Sequence, residues 1–358
     1  MVHLKTDVCK LLGIDYPIIQ AGMAGGPTTV ELVAAVSEAG GLGTLGAAYM
    51  QPSALRQAIL AIQSLTSKSF SVNIFAAETK DDFSRLDEVQ LALSPFREEL
   101  GIIDVPSSFQ SPDWSAEQFA VCLELGVPVI STAFGCLPPE SMARAKSSGV
   151  RVLAMVTTVE EARLAERAGV DAIVAQGAEA GGHRSTFSLA EHSMGAQIGL
   201  MALVPQVVDA VSVPVIAAGG IVDGRGLVAS LALGAQAVQI GTRFLIAKES
   251  GAHPVYKQAI FDSTEESTVV TKSFSGRPAR GIKNKFIETF EQQCITSLPF
   301  PSQNTVTKDI RAAAAKAGNP EFMSLWAGQS TRMLTTEKNA ADIVSEIIEE
   351  AENLFSPK

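Results

Sequence analysis

The stretch VPVIAAGGIVDGRGLVASLALGAQAVQIGTRF, residues 213–244, contains the structural unit that decides the fold. It begins with a run that is apolar on both faces, continues with apolar residues spaced three to four apart, and ends with a second apolar run. Runs of the first kind are typical of strands in a parallel sheet that is covered on both sides, and the three-to-four spacing indicates a helix. The stretch therefore predicts a strand, a helix and a parallel strand.

The same alternation extends back to residue 16. Six further apolar runs precede the quoted stretch: YPIIQAGM (16–23), GLGTLGA (41–47), FSVNIFA (70–76), VPVISTAFG (127–135), VRVLAMVTT (150–158) and DAIVAQG (171–177). Eight strands with intervening helices within about 245 residues predict an α/β fold, a closed (β/α)8 or TIM barrel. A doubly wound open sheet is the alternative.

Two stretches interrupt the alternation. Residues from about 77–126 are charged and contain prolines, so we predict an enlarged connection between the third and fourth barrel strands. Residues 246–335 contain helical patterns without further parallel-strand runs, which predicts an additional, mainly helical cap domain over the barrel mouth. The predicted division is a barrel of residues 1–245, this cap, and a C-terminal helix within residues 336–358.

The composition narrows the class of partner. The chain has 358 residues, a formal net charge of −10 and no run of basic residues, which argues against a nucleic-acid-binding surface. No stretch reaches the roughly 20 apolar residues of a membrane span, and the N-terminus lacks the apolar segment of a signal peptide. We expect a cytoplasmic protein with no membrane or nucleic-acid partner. A homodimer is the candidate assembly, although the composition does not specify it.

One glycine motif suggests a nucleotide site and is rejected. Residues 41–46, GLGTLG, have the glycine spacing of a dinucleotide-binding loop. Such a loop follows a strand, opens a helix and has an acidic residue about twenty positions later. Here the match follows a predicted helix, is itself the second strand, and is followed by no acidic residue before Glu78.

Other glycines close the seventh and eighth predicted strands, at Gly219–Gly220 and at Gly241. Active sites of (β/α)8 barrels lie at the carboxyl ends of the strands, and small residues after these two strands let backbone N–H groups converge on a phosphate. Tight turns alone would explain one such site. Two together favour a phosphate.

Three neutral amides, Asn73, Gln176 and Gln239, lie on otherwise apolar strands. Buried amides need hydrogen-bond partners, and a flat heterocycle with imide edges supplies them. A phosphate beside such a ring predicts FMN. The residues predicted to bind it are Gly22, Met23, Asn73, Gln176, Gly181, Gly182, Gly219, Gly220, Gln239, Ile240, Gly241 and Thr242.

His183 follows the sixth predicted strand by six residues, on a loop whose glycines, Gly181 and Gly182, allow a ligand to lie against the backbone. A histidine beside a flavin site can move protons at neutral pH, so we predict that His183 is catalytic. The alternative is a loop histidine with local hydrogen bonds alone. No two histidines have ligand spacing with a carboxylate, so no metal site is predicted.

With these residues in place, the chain resembles the bacterial FMN-dependent nitronate monooxygenases, formerly called 2-nitropropane dioxygenases. The resemblance runs nearly end to end, through PIIQAGMAG (17–25), SEAGGLG (37–43), VNIF (72–75), DAIVAQGAEAGGHR (171–184), PVIAAGGIVDGRG (214–226), AVQIGTRF (237–244), SGRPARGIKNKF (275–286) and WAGQS (326–330). The glycine-rich and EAGGH blocks also resemble flavin-dependent enoyl-acyl-carrier-protein reductases. The last two blocks are more similar to the monooxygenases.

The resemblance implies an enzyme that binds FMN without a nicotinamide site and oxidises alkyl nitronates with O2 to carbonyl compounds and nitrite. It implies FMN contacts from the predicted set and an active-site role for His183. A flavin-dependent NAD(P)H reductase of the enoyl-acyl-carrier-protein or quinone type is the alternative, and a non-enzymatic flavin-binding barrel is a third reading.

The resemblance also directs attention to the cap. A small substrate and O2 need an apolar, mostly dry pocket over the flavin, and we expect Tyr256 and Phe300, with Phe274 and Trp326, to close it unless they are plain core. Two positions depart from the family: Ser185 stands where glycine is frequent, and Phe300 lies in a stretch where tyrosines often line the pocket.

Overall fold

The computed structural model describes residues 4–76 and 80–354. Eight parallel strands form its main sheet: β1 (Ile18–Gln20), β2 (Gly43–Gly46), β3 (Phe70–Phe75), β4 (Val129–Ala133), β5 (Arg151–Val156), β6 (Ala172–Gln176), β8 (Val215–Ala218) and β9 (Ala237–Ile240). The short strand β7 (Gly182–His183) belongs to a second sheet. The strand order is β1-β9-β8-β6-β5-β4-β3-β2, and a parallel bridge between Ile19 and Leu42 joins the two ends. The sheet is therefore closed, and the predicted TIM barrel is confirmed.

Ten helices accompany the described strands up to residue 245, most of them packed on the outside of the barrel. They are α1 (Asp7–Leu12), α2 (Val30–Glu38), α3 (Pro52–Leu65), α4 (Leu86–Glu99), α5 (Ser115–Glu124), α6 (Pro139–Ser147), α7 (Val159–Arg167), α8 (Leu200–Ala210), α9 (Gly224–Ala232) and α10 (Thr242–Leu245). One hydrophobic core lies between strands and helices, and a second fills the barrel interior, where Val8 and Leu12 of α1 pack with Leu42 and Ile216. The interior is therefore packed, as in other barrels of this type.

The GLGTLG glycines are explained by this packing. A Cβ atom on Gly43 would lie 2.1 Å from the carbonyl oxygen of Val33 on α2, and one on Gly46 would lie 2.5 Å from the amide nitrogen of Ala24. Protein backbone, not a nucleotide, approaches this strand.

The segment 246–335, predicted to form the cap and called the cap from here on, contains helices and an antiparallel hairpin. Its elements are α11 (Pro254–Phe261), β10 (Thr268–Thr271), β11 (Ala279–Ile282), α12 (Lys285–Gln292), α13 (Ser302–Val306), α14 (Lys308–Ala317) and the short 3-10 helices at Pro320–Phe322 and Thr331–Met333. β11 pairs with β10 on one side and with β7 on the other. The strands β10 and β11 were not expected from the sequence, because four residues are too few to show the alternation of a strand.

The enlarged connection between β3 and β4 contributes one helix to the cap and one to the barrel. α4 shares the cap's hydrophobic core, for example through Phe96 against Phe286 at a ring distance of 4.7 Å, whereas α5 packs on α3 and β3 as a barrel helix. After the cap, α15 (Ala340–Asn353) returns to pack on α9 and α2. No helix among the described residues is long and apolar enough to span a membrane.

Candidate active site

His183 lies on β7, where it pairs with Ala279 of the cap hairpin. Its Nε2 atom is 2.9 Å from the hydroxyl oxygen of Ser275, and this hydroxyl donates to the carbonyl oxygen of Arg277 at 3.0 Å. A hydroxyl has one hydrogen, so the direction of the bond to His183 depends on where that hydrogen points. With the hydrogen on the Arg277 carbonyl, the Ser275 oxygen accepts from Nε2–H and a neutral ring keeps its lone pair on Nδ1, whereas a hydrogen turned to Nε2 reverses the tautomer.

The surroundings of His183 favour this neutral form. Burial, followed by the positive charges of Arg277 and Arg311, lowers the pKa of His183 to about 3. Desolvation and nearby cations both disfavour an imidazolium. The ring is half-buried, so it remains accessible from the cleft while it is uncharged at neutral pH.

Aromatic rings form the cleft around His183. The ring centroids of Phe134, Phe300 and Trp326 lie 6.0, 6.1 and 5.5 Å from that of His183. Phe75 packs on Phe134 at 4.6 Å and on Phe300 at 5.8 Å. The ring set brings together β3, the turn after β4, β7 and the cap, so the cleft lies between barrel and cap.

Tyr49 extends this ring set, with its ring 5.6 Å from Phe75. Its side chain is 40% exposed, yet burial raises its pKa to about 12.

Buried arginines fix the backbone that carries His183. Arg184 is fully buried and donates to the carbonyl oxygens of Gln176, Gly177 and Ala196. Arg280 donates to the carbonyl oxygen of Ala178 at 2.9 Å.

Arg277 also holds this segment, through a bond to the carbonyl oxygen of Arg184 at 3.3 Å. The carboxylates of Glu161 and Glu179 partly balance these charges, Glu161 acting on Arg184 and Arg277 and Glu179 on Arg184 and Arg280. At His183 itself the charges of Arg277 and Arg311 give a positive potential, which attracts an anion.

The three predicted amides differ in their partners. Gln176 donates to the carbonyl oxygen of His183 at 3.0 Å and accepts from the Ser185 N–H at 2.9 Å, so it holds the histidine segment. Asn73 donates to the Ser131 hydroxyl at 3.0 Å. The Gln239 side chain has no hydrogen bond to any residue in the described part of the chain, which leaves its amide available to a ligand.

The predicted glycines also differ. Gly219 and Gly220 have φ angles of +129° and +69°, values that L side chains rarely adopt. A Cβ on Gly241 would meet only the Cβ of Ala21, at 3.8 Å, so this backbone is open to a ligand. By contrast, a Cβ on Gly181 would lie 2.5 Å from the backbone at Ala327, so protein packing alone requires that glycine.

The other residues predicted to bind the cofactor have different surroundings. A Cβ on Gly22 would lie 2.7 Å from that of Asn73, whereas one on Gly182 (φ +78°) would meet nothing within 4 Å. Thr242 accepts a hydrogen bond from the Gly328 N–H at 3.1 Å. The Ile240 side chain packs in the core outside the strands, and the Met23 carbonyl oxygen accepts from the Thr28 hydroxyl at 3.1 Å. Cofactor contacts from these residues remain a prediction.

The cap aromatics divide into two groups. Phe300 and Trp326 are half-buried and contact His183. Phe274 is 1% exposed and stacks on Phe286 at 4.4 Å, whereas the Tyr256 hydroxyl donates to the carbonyl oxygen of Trp326 at 2.5 Å. Phe274 and Tyr256 therefore belong to the cap's core, and Tyr256 holds the Trp326 backbone from behind.

Sequence reasoning missed several residues that the structure brings together here. Ser275 and Arg277 lie in the block 275–286, and Arg184 follows His183 directly. Their motifs are visible in the sequence, but their contacts with His183 and its backbone are visible only in the structure. Phe134 gave no signal, because one phenylalanine after an apolar strand is ordinary. Its φ of +70°, unusual for a bulky residue, is visible only in the structure.

Known proteins share this architecture. A family model described as nitronate monooxygenase matches residues 5–350. A probable nitronate monooxygenase of Staphylococcus saprophyticus is 42% identical over 356 residues, which are 99% of this chain and 100% of that protein. The structure of nitroalkane oxidase from Streptomyces ansochromogenes is similar with a TM-score of 0.90 and 38% identity, over 97% of this chain and 98% of that one. FabK from Thermotoga maritima is similar with a TM-score of 0.78 and 34% identity, over 98% and 97%.

Proposed function

The chain belongs to the nitronate monooxygenase family, and on that premise we propose that it is an FMN-dependent monooxygenase that oxidises alkyl nitronates with O2 to carbonyl compounds and nitrite. The observation that carries the proposal is His183, bonded through Nε2 to Ser275, kept neutral by burial and by the charges of Arg277 and Arg311, and surrounded by aromatic rings. The partners are thus a small anion and O2, and we place the enzyme in the cytoplasm.

FMN is the form of flavin that the strand ends favour. The open backbone at Gly241 and the left-handed Gly220 would hold one phosphate, and the unpaired amide of Gln239 would bind the ring. Bound FMN would supply the electron acceptor for the nitronate. Release of the flavin from the purified protein, with its identification as FMN or FAD by chromatography, tests this directly.

The cleft supports two different roles for His183. With a neutral nitroalkane, His183 in the tautomer that donates from Nε2 to Ser275 would accept, at Nδ1, the proton from the carbon next to nitrogen. A nitronate is already deprotonated and needs no base. A charge-assisted hydrogen bond to the nitronate would require a proton on Nδ1 as well, and the bound anion would favour that imidazolium.

The charges of two arginines would also act on the nitronate anion. Arg277 and Arg311 both exert positive potential on His183. They would draw the nitronate into the cleft even while the imidazole is neutral, and the surrounding rings would exclude water from the reacting carbon.

A reductase that takes electrons from NADH or NADPH is the second candidate, because the glycine-rich and EAGGH blocks also resemble flavin-dependent enoyl-acyl-carrier-protein reductases. A non-catalytic flavin-binding barrel is not supported, because the chain belongs to an enzyme family.

The two candidates are separated by one anaerobic experiment. Purified yellow protein is mixed with ethylnitronate and, separately, with NADH or NADPH, and the flavin absorbance is followed. Rapid bleaching by the nitronate, followed by recovery of colour and release of nitrite when O2 is admitted, is the expected result. Rapid bleaching by the nicotinamide alone would overturn the proposal in favour of the reductase.

A further inference from the structure

Ser185 connects three elements around the cleft. Its hydroxyl donates to the carbonyl oxygen of Met155 on β5 at 3.0 Å and accepts from the backbone N–H of Phe134 at 3.1 Å. Ser185 is 1% exposed, so neither bond competes with bulk water. Both hydrogen-bonding functions of this hydroxyl are therefore used to fix other residues.

Phe134 is held in an unusual conformation. Its φ is +70°, a region that bulky L residues rarely adopt, and it precedes Gly135, whose φ is +153°. Such a conformation persists only where its surroundings enforce it. The Ser185 hydroxyl supplies a direct bond to the backbone of Phe134 at this point.

The Phe134 ring supports the rings that line the cleft. It contacts Phe75 at 4.6 Å, Phe300 at 5.9 Å and His183 at 6.0 Å. The guanidinium of Arg277 lies 3.8 Å above the Phe134 ring centroid. Phe134 itself is 4% exposed, so it stands behind the half-buried rings and determines where they can lie.

We propose that Ser185 is a positioning residue that, through Phe134, sets the aromatic wall of the cleft and thereby limits the size of the substrate's alkyl group. This assignment rests on the proposed oxidation of nitronates. It makes a buried serine, with no access to the substrate, a determinant of substrate selectivity.

The test compares Ser185→Ala with the wild type on nitronates of increasing chain length. Without the hydroxyl, Phe134 loses its anchor and the wall loosens, so we expect the ratio of kcat/KM for hexylnitronate to that for ethylnitronate to rise by about threefold or more. We expect kcat on ethylnitronate to stay within about twofold, because the bond between Ser275 and His183 is untouched. Ser185→Gly serves as a second variant if the first does not fold.

A matched control is available in Ser230→Ala. Ser230 is also buried, and its hydroxyl donates to the carbonyl oxygen of Gly226 at 2.8 Å, on α9 and away from the cleft. This variant should keep the wild-type chain-length ratio. If Ser230→Ala shifts the ratio as much as Ser185→Ala does, the effect is general destabilisation and the proposal is wrong.

A double-mutant cycle tests whether Ser185 acts through Phe134. In a Phe134→Ala background, Ser185→Ala should no longer change the chain-length ratio, since the residue it positions is gone. A full, additive effect in that background would overturn the proposal.

Near-ultraviolet circular dichroism of the aromatic cluster gives a readout that needs no turnover. The signal should change in Ser185→Ala and not in Ser230→Ala. Failure of the wild type to oxidise any nitronate would contradict the proposed function alone. An unchanged spectrum and an unchanged ratio would contradict the role of Ser185.

Discussion

The barrel side of the cleft consists of the ends of neighbouring parallel strands, each recognisable as a single apolar run, whereas the cap side consists of rings from loops. On the barrel side, Gly220, Gln239 and Gly241 stand at the ends of β8 and β9. On the cap side, Phe300 and Trp326 reach His183 from loops. The strand ends thus carry groups suited to a cofactor, and rings from both sides, Phe134 from the barrel and Phe300 from the cap, give the cleft its shape.

His183 belongs to both sides. It follows the sixth barrel strand, but its imidazole is fixed by Ser275 of the cap, and its backbone pairs with β11. The comparison therefore predicts three classes of variant. Variants at the strand ends should lose the cofactor, His183 variants should lose turnover, and variants of the rings that line the cleft should change substrate affinity or selectivity.

The largest effect is expected at the strand ends. Gly241 has an ordinary φ of −105° and open space for a side chain, so Gly241→Leu should fold normally. If a phosphate occupies that space, the variant should be colourless and inactive. Flavin absorbance and thermal unfolding measure both properties.

Gly220→Leu adds a second test with its own control. Gly149 has a φ of +73°, close to the +69° of Gly220, but a side chain there would meet nothing within 4 Å. Gly149→Leu should therefore carry similar backbone strain and remain yellow. If both Gly241→Leu and Gly220→Leu stay yellow, the phosphate lies elsewhere.

The next effect concerns His183→Asn. The variant should keep FMN, but loss of a general base should lower turnover of a neutral nitroalkane by about 10²–10⁴-fold. The loss should be smaller for the corresponding nitronate, which needs no base, and steady-state kinetics on the two substrates measures the difference. His253→Asn, which changes a helix cap on α11, is the control. Equal losses on both substrates would remove the base role and leave anion binding.

A smaller effect is expected from Phe300→Ala on the cap side. Removal of the ring takes apolar contact from the substrate but leaves Ser275 and the strand ends in place, so KM should rise by about three- to tenfold at similar kcat. Kinetics on nitronates of different chain length measure this. Unfolding of the variant, with unchanged kinetics in the soluble fraction, would make Phe300 a core residue instead.

The smallest effect is in the pH dependence of stability. The pKa of His183 is lowered to about 3 in the folded protein and is near 6.5 in an unfolded chain, so the unfolded state binds the proton first as pH falls. The contribution of the neutral ring to stability is thus fully present above pH 6.5 and is lost as pH falls towards about 3. Urea unfolding of the flavin-free protein between pH 7 and 4 should show a steeper decline than in His183→Asn. Parallel curves would mean that His183 is not desolvated.

The barrel could be predicted from the sequence because its signals are local. Each strand is one apolar run, and each helix shows its own spacing, so Ile18, Val72 and Val215 could be assigned without knowledge of their partners. The same holds for Gly219–Gly220, since the end of a strand is a position in the chain. His183 could be singled out because its neighbours are glycines.

The cap side could not be predicted in the same way. Ser275 reaches His183 across 92 residues, and Phe134 meets Phe300 only after the chain has folded. In sequence, Gly43, Gly46 and Gly181 cannot be distinguished from a glycine that faces a ligand, yet in the structure close packing of protein backbone accounts for all three. A glycine shows that something approaches the backbone, and only the fold shows what approaches.

The return of α15 to the barrel has a consequence for how the chain is made. This helix lies between α9 and α2, so the outer layer of the barrel is completed by residues that follow the whole cap. A nascent chain that has emerged only as far as β9 holds all eight strands but lacks α15, so the surface of α9 and α2 on which α15 packs is still uncovered. We therefore expect the barrel to reach its native state only after synthesis is nearly finished, and a chaperone to meet the intermediate at that uncovered surface.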